Sequence, residues 1–276
     1  MSYRLPLIGA LALAFALVGP SLEVNAQEPL PNSMAALGNS ITRGFNSGPL
    51  AYQDNPTYSW STGTNASVRS HYLRILEANP AILGKNFNDA RSGAKMADLA
   101  GQAAVANAQH VDYITILMGG NDVCASSESA MTPVETFRAE FQTAMNSLAA
   151  GSPTAKLYVV SIPDVYHLWE ILHTSPSARL VWRLFRICQS LLARPNSMDQ
   201  EDVDRRARVR QRNIDFNQQL QEVCATFTNC RYDGGAVFST PFNRSDVSTR
   251  DYFHPSAAGQ AKLASVSWAA GYWGGQ

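Results

Sequence analysis

The chain has 276 residues, 45% of them hydrophobic and 16% charged, with 22 basic side chains balanced by 22 acidic ones. That length and apolar content allow a sizeable buried core. The zero formal net charge leaves no basic excess for contacts with a phosphate backbone, so nucleic acid is not an expected partner.

At the N-terminus, Arg4 precedes an almost wholly apolar run from Leu5 to Val18. Gly19-Pro20 follows, then small residues at Val24-Asn25-Ala26. Basic, apolar and small-residue regions in that order describe a secretory signal. The run is shorter than the ~20 residues needed to span a bilayer. We therefore expect a leader over residues 1–26 and a secreted mature chain over 27–276 that folds as one unit, with no integral membrane segment. Cys124, Cys188, Cys224 and Cys230 suit an oxidising compartment and structural disulfides. Several pairings are open to them. The close spacing of Cys224 and Cys230 favours a short loop, which leaves Cys124 for Cys188.

Further along, strand-like runs alternate with helix-length segments. Met34–Leu37 runs into Gly38-Asn39-Ser40, and Asn86–Ala90 precedes Arg91-Ser92-Gly93. Tyr113–Met118 ends in Gly119-Gly120-Asn121-Asp122, and Lys156–Ile162 ends in Pro163-Asp164. This alternation indicates βαβ units around a parallel sheet. Helices are expected over Ala94–Gln109, over a segment opened by a Thr132 N-cap with Pro133 and Glu135 and stopped at Gly151, and over Asp202–Ala225. Arg205, Arg206, Arg208, Arg210 and Arg212 are read as a solvated face of the third. Ser256 is placed to cap a last helix running to Trp268. Residues 46–69 and 164–196 read as irregular excursions.

Ligands of an open parallel sheet bind beyond the carboxyl ends of its strands, and most of these strand ends carry glycine beside a polar group. Ser40 is a candidate nucleophile there, and Asn121 a candidate amide donor. Asp251, three residues before His254, can hold the imidazole in one tautomer and stabilise its cation, as an orienter does. His71, His110, His167 and His173 lack such a partner and are read as structural.

Together, Ala36–Thr42, Ala90–Gly93, Gly119–Asp122 and Asp251–His254 resemble the four sequence blocks of the SGNH, or GDSL-type, hydrolases. Ser161–Tyr166 looks like a segment of that family's secreted, disulfide-bearing bacterial branch. The resemblance spans nearly the whole mature chain and departs at Asn39, where the family usually has Asp. It implies a three-layer α/β/α sandwich with a parallel, flavodoxin-like sheet. It also implies a carboxylic-ester hydrolase with Ser40 as nucleophile, His254 as base and Asp251 as orienter. The oxyanion hole would be the backbone N–H groups of Ser40 and Gly93 with the Asn121 amide. No Gly-x-Ser-x-Gly elbow of the α/β-hydrolase type occurs.

The chemistry fits these assignments. A serine hydroxyl needs an adjacent base, glycine at 93 lets the backbone approach a substrate, and neutral His254 is required, so activity is expected to fall in acid. No metal-ligand spacing or phosphate-cradling loop is present, so neither metal nor cofactor is expected. The substrate is read as a small-molecule or lipid ester. An acetyl ester on a polysaccharide, or a binding module that keeps the fold without turnover, are the other readings. Tyr52, Tyr58, Trp60, Tyr166, Leu168, Trp169 and Trp182 could line an acceptor site or pack in the core.

Overall fold

A computed structural model describes residues 1–3 and 28–274, so the expected leader, save its first three residues, lies outside the described chain. Among the described residues, five short strands pair in parallel: β1 (Met34–Gly38), β2 (Asn86–Asn88), β3 (Tyr113–Leu117), β4 (Lys156–Val159) and β5 (Cys230–Tyr232). Their order across the sheet is β2-β1-β3-β4-β5. Met34 of β1 is in register with Asn86 on one side and Tyr113 on the other. β1 and β3 are buried throughout, whereas the two edge strands are only partly covered. The first four strands stand where the strand-like runs place them, and β5 lies in none of those runs.

Helices lie on both faces of the sheet. They are α1 (His71–Ala78), α2 (Leu99–Gln109), α3 (Gly120–Val123), α4 (Val134–Gly151), α5 (Val165–Leu172), α6 (Pro176–Leu184), α7 (Gln189–Leu192), α8 (Gln200–Cys224) and α9 (Ala257–Ala270). Strand side chains alternate between faces. Ala35 and Leu37 pack with Leu99, Phe137 and Phe216 of α2, α4 and α8. Met34 instead joins Ile75 and Leu263 of α1 and α9, with Trp60 and Trp273. Phe137 and Phe216 stack with ring centroids 4.0 Å apart, fixing α4 against α8. The result is the expected three-layer α/β/α arrangement.

Several local expectations need correction. Residues 164–196 are not irregular, since α5, α6 and α7 lie within them; Asp164 caps α5 by accepting from Tyr166 N, and Ser175 caps α6 by accepting from Ala178 N. The helix expected from Ala94 begins at Leu99, after a 3-10 turn over Met96–Asp98. Thr132 does not cap α4. Its hydroxyl donates to Asp122 Oδ1 at 2.7 Å instead, and Pro133 takes the cap position with no side-chain bond. The arginines of α8 form a solvated face only in part, since Arg208 and Arg210 are exposed but Arg206 is not. Arg206 is 1% exposed and lies over the Trp169 ring, while Arg208 pairs with Glu128 and Arg210 with Asp164. They tie α8 to the loops beside it.

Ser256 caps α9 as expected, accepting from Gly259 N at 3.2 Å. The disulfides are Cys124–Cys188 and Cys224–Cys230. No helix among the described residues is long and apolar enough to cross a membrane.

The strand order places the site. Leaving β1, the chain adds β2 on one side and then crosses to β3 on the other, so the connections diverge between β1 and β3. In open α/β sheets that divergence opens a crevice at the carboxyl ends of the strands. Ser40 stands two residues past β1, and Asn121 is the second residue of α3, which follows β3.

Candidate active site

The turn after β1 is shaped by its own residues. Gly38 takes a φ of 152°, and a side chain there would collide with Leu117 O and Thr42 Oγ1, each 2.5 Å from the Cβ position. Asn39, 2% exposed, accepts from Ile41 N at 3.0 Å and closes the turn that carries Ser40. An Asp carboxylate would offer the same acceptor, so the departure at Asn39 leaves this local bond intact. Gln102 of α2 braces the strand end from behind: Gly38 N donates to its Oε1 at 2.7 Å, and its Nε2 donates to Gly38 O at 2.9 Å.

The residues at the other end of the chain meet this turn. Ser40 Oγ lies 2.8 Å from His254 Nε2, and His254 Nδ1 lies 2.7 Å from Asp251 Oδ2. Asp251 Oδ1 accepts from the N–H groups of Phe253 and His254, each at 3.0 Å, and Asn46 Nδ2 donates to Oδ2 at 2.5 Å. Burial alone would push the Asp251 carboxyl up. The hydrogen bonds and charge of His254, aided by Asn46, outweigh it and hold the carboxyl below the usual aspartate range. An ionised Asp251 accepts the Nδ1 proton, which leaves Nε2 to accept from the serine hydroxyl.

Gly93 and Asn121 reach the same place. Both line a recess of about 650 Å³ with Ser40, His254, Phe45 and the Cys124–Cys188 bridge. Gly93 has a φ of 83°, and a side chain added there would meet nothing within 4 Å. Among the described residues, neither the Ser40 nor the Gly93 backbone N–H donates to a protein acceptor. Asn121 Nδ2 donates to Ala94 O at 2.9 Å, which orients the amide and leaves its second N–H available to a ligand.

Asp122, fully buried, joins these two loops. It accepts from Met96 N at 3.0 Å and from Thr132 Oγ1, and burial raises its carboxyl above the usual range. Gly119 before it has a φ of 115° and sits against Ile162 and Phe137, where a Cβ has no room.

A second cleft, of about 820 Å³, opens on the other side of Ser40 and His254. Its walls are largely apolar: Ile41, Ile162, Val165, Leu168, Phe242 and Leu263 contribute. Of the aromatic and aliphatic candidates, only Leu168 lines this cleft. Trp60, Trp169 and Trp182 are buried in the core, and Tyr52 is exposed.

Two of the other histidines bear on the reading that they are structural. His71 is fully buried between the Tyr113 hydroxyl and Ser267 Oγ. His167 does more than pack: it lines the apolar cleft, and its Nε2 donates to Phe242 O at 2.9 Å, tying α5 to the opposite wall. Among the described residues, no group of three or more His, Cys, Asp or Glu side chains is placed to hold a metal ion.

Asn46, Gln102 and Asp122 are the supporting residues that the sequence did not disclose. Asn46 and Gln102 are polar residues whose partners are distant in the chain, and Asp122 stands in the Gly119–Asp122 block but was given no role of its own. The only available signal was the position of Asn46 at the start of a Gly-, Ser- and Asn-rich excursion.

A Ser-His-Asp contact at the switch point of a parallel sheet defines a class of α/β hydrolytic site. Residues 34–266 match the family GDSL-like Lipase/Acylhydrolase, and the chain belongs to that family. That family is one of lipases and acylhydrolases. The chain is 26% identical over 286 residues to mouse (Mus musculus) "Phospholipase B1, membrane-associated", covering 85% of this chain and 19% of that protein. It thus spans about a fifth of that relative's length. Among solved structures, it resembles an extracellular lipase from Streptomyces rimosus, with a TM-score of 0.51 and 15% identity over 87% of this chain and 99% of that one. It equally resembles a family 3 carbohydrate esterase from Clostridium thermocellum, at 0.51 and 13% over 86% and 92%. At such identities the likeness is one of fold.

Proposed function

We propose that this protein is a secreted serine esterase or lipase that cleaves carboxylic esters with an extended apolar acyl chain, through an acyl-enzyme on Ser40. The observation that carries this reading is the unbroken contact from Ser40 Oγ through His254 to Asp251 at the mouth of the apolar cleft. A leader over 1–26, one hydrolase unit over 27–276 and the two disulfides fit an extracytoplasmic setting.

In this mechanism Ser40 Oγ attacks the ester carbonyl carbon while its proton passes to His254 Nε2. The new carbon–oxygen bond places negative charge on the carbonyl oxygen. The N–H groups of Ser40 and Gly93 and the Asn121 amide donate to that oxygen, at the point where charge develops. The ester carbon–oxygen bond then breaks, and His254 gives its proton to the leaving alcohol. Water repeats the attack with His254 as base, which releases the acid and returns the proton to Ser40. Asp251 keeps its negative charge throughout and stabilises the transient imidazolium.

The fold does not choose between lipid and carbohydrate esters, because both occur among its structural neighbours. The cleft supports the first: an acetyl group would leave most of its apolar wall uncovered. The phospholipase named among the relatives supports it too. The test is turnover of p-nitrophenyl esters of increasing chain length beside acetylated xylan. Rising kcat/KM from acetyl to medium chains, abolished in Ser40→Ala, is the expected result. Preference for acetylated xylan, or retained turnover in Ser40→Ala, overturns it.

A further inference from the structure

Charge is unevenly spread over this neutral chain. Between Glu170 and Asp199 stand Arg179, Arg183, Arg186 and Arg194, with no Asp or Glu among them. Arg194 is paired with Asp202, and Arg179 donates to His173 O. Arg183 and Arg186 are exposed and make no ion pair among the described residues.

The same stretch exposes large apolar side chains. α6 buries Ala178 and Trp182 on one side and turns Leu180 and Leu184 outward, one helical turn apart. Leu184 is 65% exposed and Phe185, just beyond the helix, 59%. Leu50 and Tyr52, from the loop after β1, are 53% and 54% exposed. The Tyr52 and Phe185 rings lie 5.8 Å apart, so the two segments form one continuous rim.

That rim borders the site. Ile187 lines the recess shared by Ser40 and His254. Trp182 Nε1 donates to Tyr252 O at 2.9 Å, and Tyr52 OH donates to Arg250 O at 3.1 Å. Both segments are therefore fastened to the chain on either side of Asp251.

We propose that this rim docks the protein on an anionic lipid surface, with Leu180, Leu184, Phe185 and Tyr52 entering the headgroup boundary and Arg183 and Arg186 meeting lipid phosphates. The proposal rests on the ester-hydrolase reading only for its purpose; the surface itself stands on exposure and charge. Apolar side chains flanked by unpaired arginines are what an interfacial helix presents. A second copy of this chain fits poorly, because in a two-fold contact Arg183 and Arg186 would approach their own copies with no carboxylate in the patch to answer them. A polyanionic sugar would satisfy the arginines but leave the apolar residues in water.

The test is flotation with phosphatidylcholine vesicles, with and without phosphatidylglycerol, using Ser40→Ala so that the lipid stays intact. Binding is expected with phosphatidylglycerol, fading as salt is raised. Arg183→Glu with Arg186→Glu should weaken it about 25-fold or more, at about fivefold per basic residue removed. Leu184→Ser with Phe185→Ser should also lose binding. In the Ser40 background, neither pair should alter turnover of a soluble short-chain ester. Equal binding by the variants, no binding to either vesicle, or self-association in place of vesicle binding overturns the docking surface. If Ser40→Ala floats normally while the Ser40 protein hydrolyses no ester, the catalytic reading fails and the docking surface stands.

Discussion

Asn46 and Asp251 are 205 residues apart in the chain, yet Asn46 Nδ2 donates to the same Asp251 oxygen that accepts from His254, at 2.5 Å. Asn46 has a φ of 60° and is 3% exposed, and its Oδ1 accepts from Tyr52 N at 2.6 Å. It therefore links the loop behind Ser40 to the carboxylate behind His254, in a backbone conformation that Asn tolerates better than most residues.

This makes Asn46 a positioning residue. Asn46→Gly keeps the backbone conformation and removes the bond. A hydrogen bond to a charged group is worth ~1.5–3 kcal/mol, which sets the expected fall in kcat at about 10- to 100-fold. KM should hold, because no substrate contact is removed. Steady-state kinetics with a soluble ester measure the split, and a rise in KM at unchanged kcat would assign Asn46 to loop packing alone.

Asn121→Ala tests the proposed oxyanion hole. The variant loses the donor and also the bond to Ala94 O. Turnover should fall by ~10²–10³-fold, with substrate binding little changed. An effect confined to KM would remove Asn121 from the chemistry.

At Asn39 the expectation is a small effect. Asn39→Asp keeps the acceptor for Ile41 N but buries a carboxylate beside Gly120, whose Cβ position is 3.4 Å from Asn39 Nδ2. We expect a folded protein whose kcat/KM changes by less than about tenfold, since the altered group does not touch Ser40, His254 or Asp251. A larger loss, with unchanged thermal stability, would give residue 39 a part in the reaction.

His71 makes the fold acid-sensitive independently of the site. Burial, with the nearby Arg74 charge, lowers its pKa from 6.5 to about 3. The unfolded chain therefore takes up a proton that the folded one refuses. Its contribution is fully present above the unfolded pKa and lost as pH falls from about 6.5 toward about 3, at ~1.4 kcal/mol per unit. As pH is lowered from about 7 to about 4, urea midpoints should fall in the native protein and less steeply in His71→Gln. Parallel slopes would refute this assignment.

These residues also show what was legible in the sequence and what was not. Gly38-Asn39-Ser40 and Gly119-Gly120-Asn121 could be read because turn glycines and polar side chains sit together at the ends of apolar runs. Asp251 and His254 could be read because one turn of chain brings them into contact. Asn46 and Gln102 act only through contacts made by the folded sheet, and nothing beside them in sequence marks them; Asp122 stands in a marked block, but its bracing bonds to Met96 and Thr132 exist only in the fold. The helices α5, α6 and α7 were hidden for another reason. They are only 8, 9 and 4 residues long, too short for an apolar stripe to repeat, and their Trp, Leu and Arg residues serve a buried face, an exposed rim and a cleft wall at once. Arg206 misled because a charge in a run of charges reads as solvated, whereas Trp169 gives it a buried ring to lie on.

The apolar cleft draws much of its wall from Ile162–Ile171 and from Phe242–Val247, while Ser40, Gly93, Asn121, Asp251 and His254 belong to other segments. In the proposed reaction, selectivity and reactivity would thus be carried by largely separable pieces of chain. A graft of the 162–171 segment from a relative could retune which acids this scaffold releases while its reaction machinery is inherited unchanged.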